Sequence, residues 1–169
     1  MTIRPAAAGD GDRLVAIWLR SVRATHTFLS EVDIQGLLPF VHEELNDPVG
    51  LDLWVLIDDH DMPVGFAGLA GAQVAALFLD PDRRRRGGGR LLIEQAQRLH
   101  GRLTVDVNEQ NPEAVRFYEA MGFEVVGRSP DDDAGRPFPI LHMRQPEPGD
   151  VTTGGGTIGG GARRGPTAS

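Results

Sequence analysis

The sequence predicts an α+β domain, mixed α/β in its element order, with helices packed on a mostly antiparallel sheet. Three observations lead there. Between residues 53 and 79 the apolar residues fall in short runs of strand length, "LWVLI", "VGFAGLAG" and "VAALFL", separated by "DDHDMP" and "AQ". Before and after that block they recur at helical spacing, as in Leu14, Ile17, Trp18 and Val22. The chain has 169 residues, enough for one core and too few for two domains of ordinary size.

The elements follow in order. A short extended piece at residues 3–4 leads through a Gly/Asp turn into the first helix. Ser30, with Asp33 three residues on, reads as the cap of a second helical region that Pro39 should interrupt. The three apolar runs form an antiparallel meander. "GRLLIEQAQRLH" carries Leu92, Ala96 and Leu99 on one face, a helix starting where the glycines end. "LTVDV" is the next strand. The following helix is clearly punctuated, with Asn111 as cap, Pro112 at its first position, Glu113 in its first turn and Gly122 past its end. "FEVVG" and "FPILHM" close the sheet as a hairpin around "RSPDDDAGRP". The domain is expected over residues 1–145. Residues 146–169 read as a disordered glycine-rich tail, with too little apolar surface to offset ordering entropy.

Composition excludes several functions. No apolar run approaches the roughly 18–20 residues of a membrane helix, and the opening "MTIRPAAAGDGDRL" lacks the basic start and apolar stretch of an export signal, so a cytoplasmic protein without membrane contact is expected. Cysteine is absent, which removes thiolate metal sites and cysteine nucleophiles, and the histidines have no metal-ligand spacing, so no metal is expected. Every basic residue is arginine, so a phosphate loop ending in Gly-Lys-Ser/Thr cannot exist. A net charge of −7 argues against a nucleic-acid partner. The positive charge is local instead, in "DPDRRRRGGGRLL". That segment is a strand-to-helix turn, where free backbone N–H groups, absent side chains and the helix dipole favour a phosphate.

Read from Arg84 to Gly89, the turn fits Arg/Gln-x-x-Gly-x-Gly/Ala after an apolar strand, while a dinucleotide fingerprint would need glycine at Leu92. Together with "VNEQNPEAVRFYEAMGF", the segment resembles the GNAT superfamily of acetyl-coenzyme A dependent N-acetyltransferases, in order and in separation. The likeness runs from "IRP" to about residue 144 and extends to one bacterial subgroup, the YjaB-type acetyltransferases.

The resemblance implies a GNAT-like sheet with splayed middle strands and helices on both faces. It implies direct acetyl transfer from acetyl-coenzyme A to a primary amine, a peptidyl lysine or a small amine, in a ternary complex. Backbone groups of Leu77, Phe78 and Leu79 would meet the pantetheine arm and the thioester oxygen. Arg84, Arg85, Arg86, Gly87, Gly88, Gly89 and Arg90 would hold the pyrophosphate, and Asn108 the pantetheine between the splayed strands, with Asn111 and Phe117 also counted among the cofactor contacts.

Tyr118, the only tyrosine, occupies the family's general-acid position. The carboxylate that many relatives carry on the strand before the turn is missing from "VAALFL", which leaves the base open. His26, in the loop where the family shapes its acceptor site, is the first substitute and Asp106 the second. None of the other histidines forms a trusted Ser/His/Asp pattern. A rival reading is a catalytically weak, regulatory module that binds acetyl-coenzyme A, and edge strands leave room for a homodimer.

Overall fold

The computed structural model describes residues 1–147. Most of the expected tail lies outside them, while Glu147, within its predicted span, pairs with Arg102 at 3.3 Å. The order is β1 (Thr2–Pro5), α1 (Gly11–Thr25), α2 (Glu31–Asn46), β2 (Asp52–Ile57), β3 (Pro63–Ala70), β4 (Gln73–Leu79), α3 (Gly88–His100), β5 (Thr104–Asn108), α4 (Pro112–Ala120), β6 (Glu124–Ser129) and β7 (Ile140–Arg144). Seven strands make one sheet in the order β1-β2-β3-β4-β5-β7-β6. Every neighbouring pair is antiparallel except β4 and β5. The mixed class read from the sequence is the class found.

Alternation along the strands divides the core between two faces. On one, Leu14, Ile17, Trp18 and Val22 of α1 pack with Ile34 and Leu45 of α2 against Val55, Phe66 and Phe78. On the other, Ile93 and Ala96 of α3 and Tyr118 of α4 meet Val74, Val105, Val107 and Met143. Each fully buried aliphatic side chain contributes about 1.5–3 kcal/mol, so these faces, more than helix propensity, fix α1 and α3 to the sheet.

Two details differ from the sequence reading. Helix α2 runs unbroken through Pro39. Proline removes a hydrogen bond to the carbonyl four residues back, but Pro39 and Gln35 are both exposed, so water can serve the freed Gln35 carbonyl while Ile34 and Leu45 anchor the buried side. The expected Ser30–Asp33 capping box starts this helix, with both reciprocal bonds formed at 3.0 and 3.1 Å. Helix α3 begins inside the glycine run, at Gly88. Glycine costs about 1 kcal/mol within a helix, but a Cβ at Gly88 would stand 2.6 Å from Leu56 Cδ2 and one at Gly89 3.0 Å from the Phe117 ring. Close approach decides those positions.

The feature that organises the molecule is the seam between β4 and β5, where only Gln73↔Thr104 and Val74↔Val105 are in register. Against β3, the register passes from Leu69↔Val74 to Gly68↔Ala76, which leaves Ala75 as one extra residue on β4. A bulge bends its own strand and sharpens its twist. The bulge lies where β4 leaves β5, and beyond it the two strands diverge.

Candidate active site

The divergence of β4 and β5 opens a groove of about 510 Å3, walled by Leu77, Phe78 and Leu79 on one side and by α4 on the other, with the turn before α3 at its end. In that turn Arg85 has φ +63° and Gly87 φ +83°. A left-handed arginine is uncommon and costs of order 1–2 kcal/mol. Among the described residues no side chain caps α3. Its first N–H groups therefore lack partners within the helix and remain available to an anion.

The arginines divide by partner. Arg83 pairs with Asp58 at 3.2 Å, Arg84 with Glu113 of α4 at 3.0 Å, and Arg90 loosely with Glu94 at 3.9 Å. Arg85 and Arg86 form no ion pair among the described residues. Arg84, Arg85, Gly87, Gly88, Gly89 and Arg90 line the groove, whereas Arg86 does not. Asn111 lines it too and is also the helix cap, its Oδ1 accepting the Ala114 N–H at 3.2 Å. Phe117 completes that wall.

Tyr118 lines the groove from α4 with 2 % of its surface exposed. Its ring meets Phe117 and Phe123 edge-on, at centroid distances of 5.1 and 5.3 Å. Burial pushes its phenol well above the ordinary tyrosine pKa, so it is a proton donor throughout the neutral range.

A second cavity, about 250 Å3, lies on the α1–α2 side and is lined by Trp18, Phe28, Leu37, Asn108, Arg136 and Phe138 among others. Asn108 thus faces this cavity and not the larger groove. Phe28 and Phe138 meet there at a tilt of 56° with centroids 5.3 Å apart, and Arg136, held by Asp132 at 2.8 Å, covers the Phe138 ring.

His26 borders both cavities. The Thr25 hydroxyl donates to the Ser21 carbonyl at 2.8 Å and lies 2.8 Å from His26 Nδ1. Its single proton being used, Nδ1 must carry the hydrogen of that second bond, and Nε2 is left with a bare lone pair. Nε2 is buried and has no hydrogen-bond partner among the described residues. Burial lowers the His26 pKa to about 4, so the ring is neutral at pH 7.

Asp106 lines neither cavity, since its carboxylate is joined to His142 at 2.7 Å. Ser21, Thr25 and Arg116 also line the groove, and sequence reasoning missed them. Arg116 was within reach, because it shares the groove side of α4 with Glu113 and Phe117 at helical spacing. Nothing local marks Ser21 or Thr25.

A family model described as an acetyltransferase (GNAT) domain matches residues 50–125. The chain is 47% identical to the peptidyl-lysine N-acetyltransferase YjaB of Salmonella typhimurium over 146 residues, 86% of this chain and 99% of that protein. The solution structure of apo-form YjaB from Escherichia coli superposes with a TM-score of 0.79 at 46% identity, covering 85% of this chain and 95% of that one. The fold is also that of the PaiA N-acetyltransferase of Thermoplasma acidophilum, solved with coenzyme A, at a TM-score of 0.70 and 19% identity over 86% of this chain and 99% of that one.

Proposed function

The chain belongs to the GNAT family of acetyltransferases, and from that premise we propose that it moves an acetyl group from acetyl-coenzyme A directly to the side-chain amine of a lysine in a protein, in a ternary complex. The observation that carries the reading is the groove itself: a bulge-opened sheet ending at an uncapped helix head beside an unpaired arginine. Those residues fit the donor. The turn offers amides and guanidinium charge to a diphosphate, and the gap beyond Val74 and Val105 offers strand-edge groups to an extended, amide-bearing arm. The name of the YjaB relatives, peptidyl-lysine N-acetyltransferase, supports lysine over a small amine as acceptor.

Within this reading Arg85, Gly87, Gly88 and Gly89 hold the diphosphate, and Arg84, braced by Glu113, fixes the spacing between the turn and α4. Tyr118, kept protonated by burial, offers its hydroxyl hydrogen to the sulfur as negative charge develops there, while the same burial makes the phenol a weaker acid than an exposed one. The second cavity takes the amine. Its apolar walls suit the aliphatic arm of a lysine, and Asn108 and His26 are among the polar side chains that line it.

His26 acts there as a hydrogen-bond acceptor for the amine N–H. A ring with a pKa of about 4 is too weak a base to take a proton from an alkylammonium, whose pKa is near 10.4. The acceptor therefore reacts as the free amine. Cytoplasmic residence, where acyl-coenzyme A is available, belongs to this proposal; among the described residues no helix is long and apolar enough to cross a membrane.

Thiol release from acetyl-coenzyme A, measured with lysine peptides and with a panel of small amines, tests the function, with mass spectrometry locating the acetyl group. Release dependent on a lysine peptide, with one acetyl on the side chain, is expected. Coenzyme binding without release on any acceptor would leave only the binding module.

A further inference from the structure

Outside both cavities, three chemically complementary side chains meet on the open face of β5, β7 and β6. Asp106 and His142 stand directly opposite each other in the β5–β7 register. Asp106 Oδ1 is 2.7 Å from His142 Nδ1, and Ser129 Oγ is 2.7 Å from His142 Nε2. A carboxylate only accepts, so Nδ1 carries the hydrogen of the first bond. In the neutral ring Nε2 then has a lone pair, and the Ser129 hydroxyl must donate to it. The histidine tautomer is set by its neighbour.

Two backbone features hold this arrangement. Against β7, the register of β6 passes from Val125↔Met143 to Gly127↔His142, which makes Val126 an extra residue. Without that bulge, alternation would turn Ser129 to the opposite face, since a one-residue shift reverses every side chain. Gly127 stands opposite His142, and the imidazole packs over it, with Cδ2 3.4 Å from where a Cβ would lie. The His142 side chain is 38% exposed, which lets a small molecule reach the Oγ–Nε2 pair from solvent.

An alcohol that donates to an imidazole braced by a carboxylate is activated toward acyl carbon. We propose that Ser129, His142 and Asp106 form a second reactive centre, separate from the acetyl-transfer groove, that cleaves small activated carboxylic esters. Ser129 Oγ bonds to the ester carbonyl carbon, and its proton passes to His142 Nε2 and on to the leaving alcohol as the carbon–oxygen bond breaks. Water then repeats the attack on the acyl-serine, releasing the carboxylic acid and restoring the hydroxyl.

The test treats the full chain with 4-nitrophenyl acetate and, separately, with an alkyl fluorophosphonate, and maps adducts by peptide mass spectrometry. We expect nitrophenol release and an adduct on Ser129. His142→Ala and Asp106→Asn, checked for fold by circular dichroism, should slow the adduct by about a hundredfold or more. Ser129→Ala should abolish ester cleavage and leave acetyl transfer from acetyl-coenzyme A unchanged. The inference is overturned if the wild-type protein acquires no adduct at Ser129, or if the adduct forms equally fast in His142→Ala. The wild-type map decides the first point without any variant.

Discussion

Buried His26 makes stability depend on pH in a window that can be calculated. The folded ring resists protonation until about pH 4, whereas an unfolded histidine takes its proton near 6.5. Between those values the unfolded chain binds more protons, so stability is complete above 6.5, falls as pH drops, and loses nothing further on this account below about 4. At 1.36 kcal/mol per unit the whole effect is roughly 3 kcal/mol, of which about 2 kcal/mol is lost between pH 7 and pH 5.

His26→Phe removes the titration and places an aromatic ring between Phe28 and Phe78, whose centroids lie 5.4 and 6.4 Å from the imidazole. Urea unfolding of both proteins at several pH values provides the measurement. The difference isolates one residue, because Asp10, Glu31, Asp33, Asp58 and Glu109, all held below the usual carboxylate values by hydrogen bonds, contribute equally to both chains. We expect the variant to gain about 2 kcal/mol on the wild type between pH 7 and pH 5. Parallel curves across that interval would refute the claim that His26 is buried neutral.

Other outcomes follow from the same geometry. Tyr118→Phe should bind acetyl-coenzyme A as the wild type does and lower kcat by about 10²–10⁴, which calorimetry and thiol release check together. Because Tyr118 is the only tyrosine in the chain, its absorbance near 295 nm reports one phenol, and no phenolate should appear at about pH 11 until the protein unfolds. Arg85→Gln should raise KM for acetyl-coenzyme A about 10- to 100-fold, as expected for a lost charge-assisted hydrogen bond, with kcat little changed; Arg86→Gln, outside the groove, should have a smaller effect on the same assay. With lysine-peptide acceptors, kcat/KM should climb with pH toward the amine's own pKa near 10.4, and a plateau between about pH 6 and 8 would point to a protein base instead.

Much of the fold was legible because its signals are local. Ser30 with Asp33, Asn111 before Pro112, and the period change at residue 53 each act within a few residues, and each appears where expected. The turn from β4 into α3 was legible as a strand-to-helix junction for the same reason. The reach of the groove was not, because it depends on Ala75 being extra in β4, and "VAALFL" has no residue that announces a bulge. Val126 conceals the Ser129–His142–Asp106 arrangement in the same way: residues 23 and 13 positions from Ser129 meet only once β6 slips by one. Pro39 misled for a different reason. Its cost depends on which side of the helix faces water, and that is set by tertiary packing.

The short seam between β4 and β5 has a consequence for self-association. Sheets ordinarily present bare rims at the outside of a molecule, where a neighbouring chain can add on and start a fibre. Here a further pair of rims lies inside the sheet, between the outer strands β1 and β6, where β4 and β5 part beyond Val74 and Val105. Flanked by paired strands on both sides, those interior rims are not at the outer edges where a second copy of the sheet would add on.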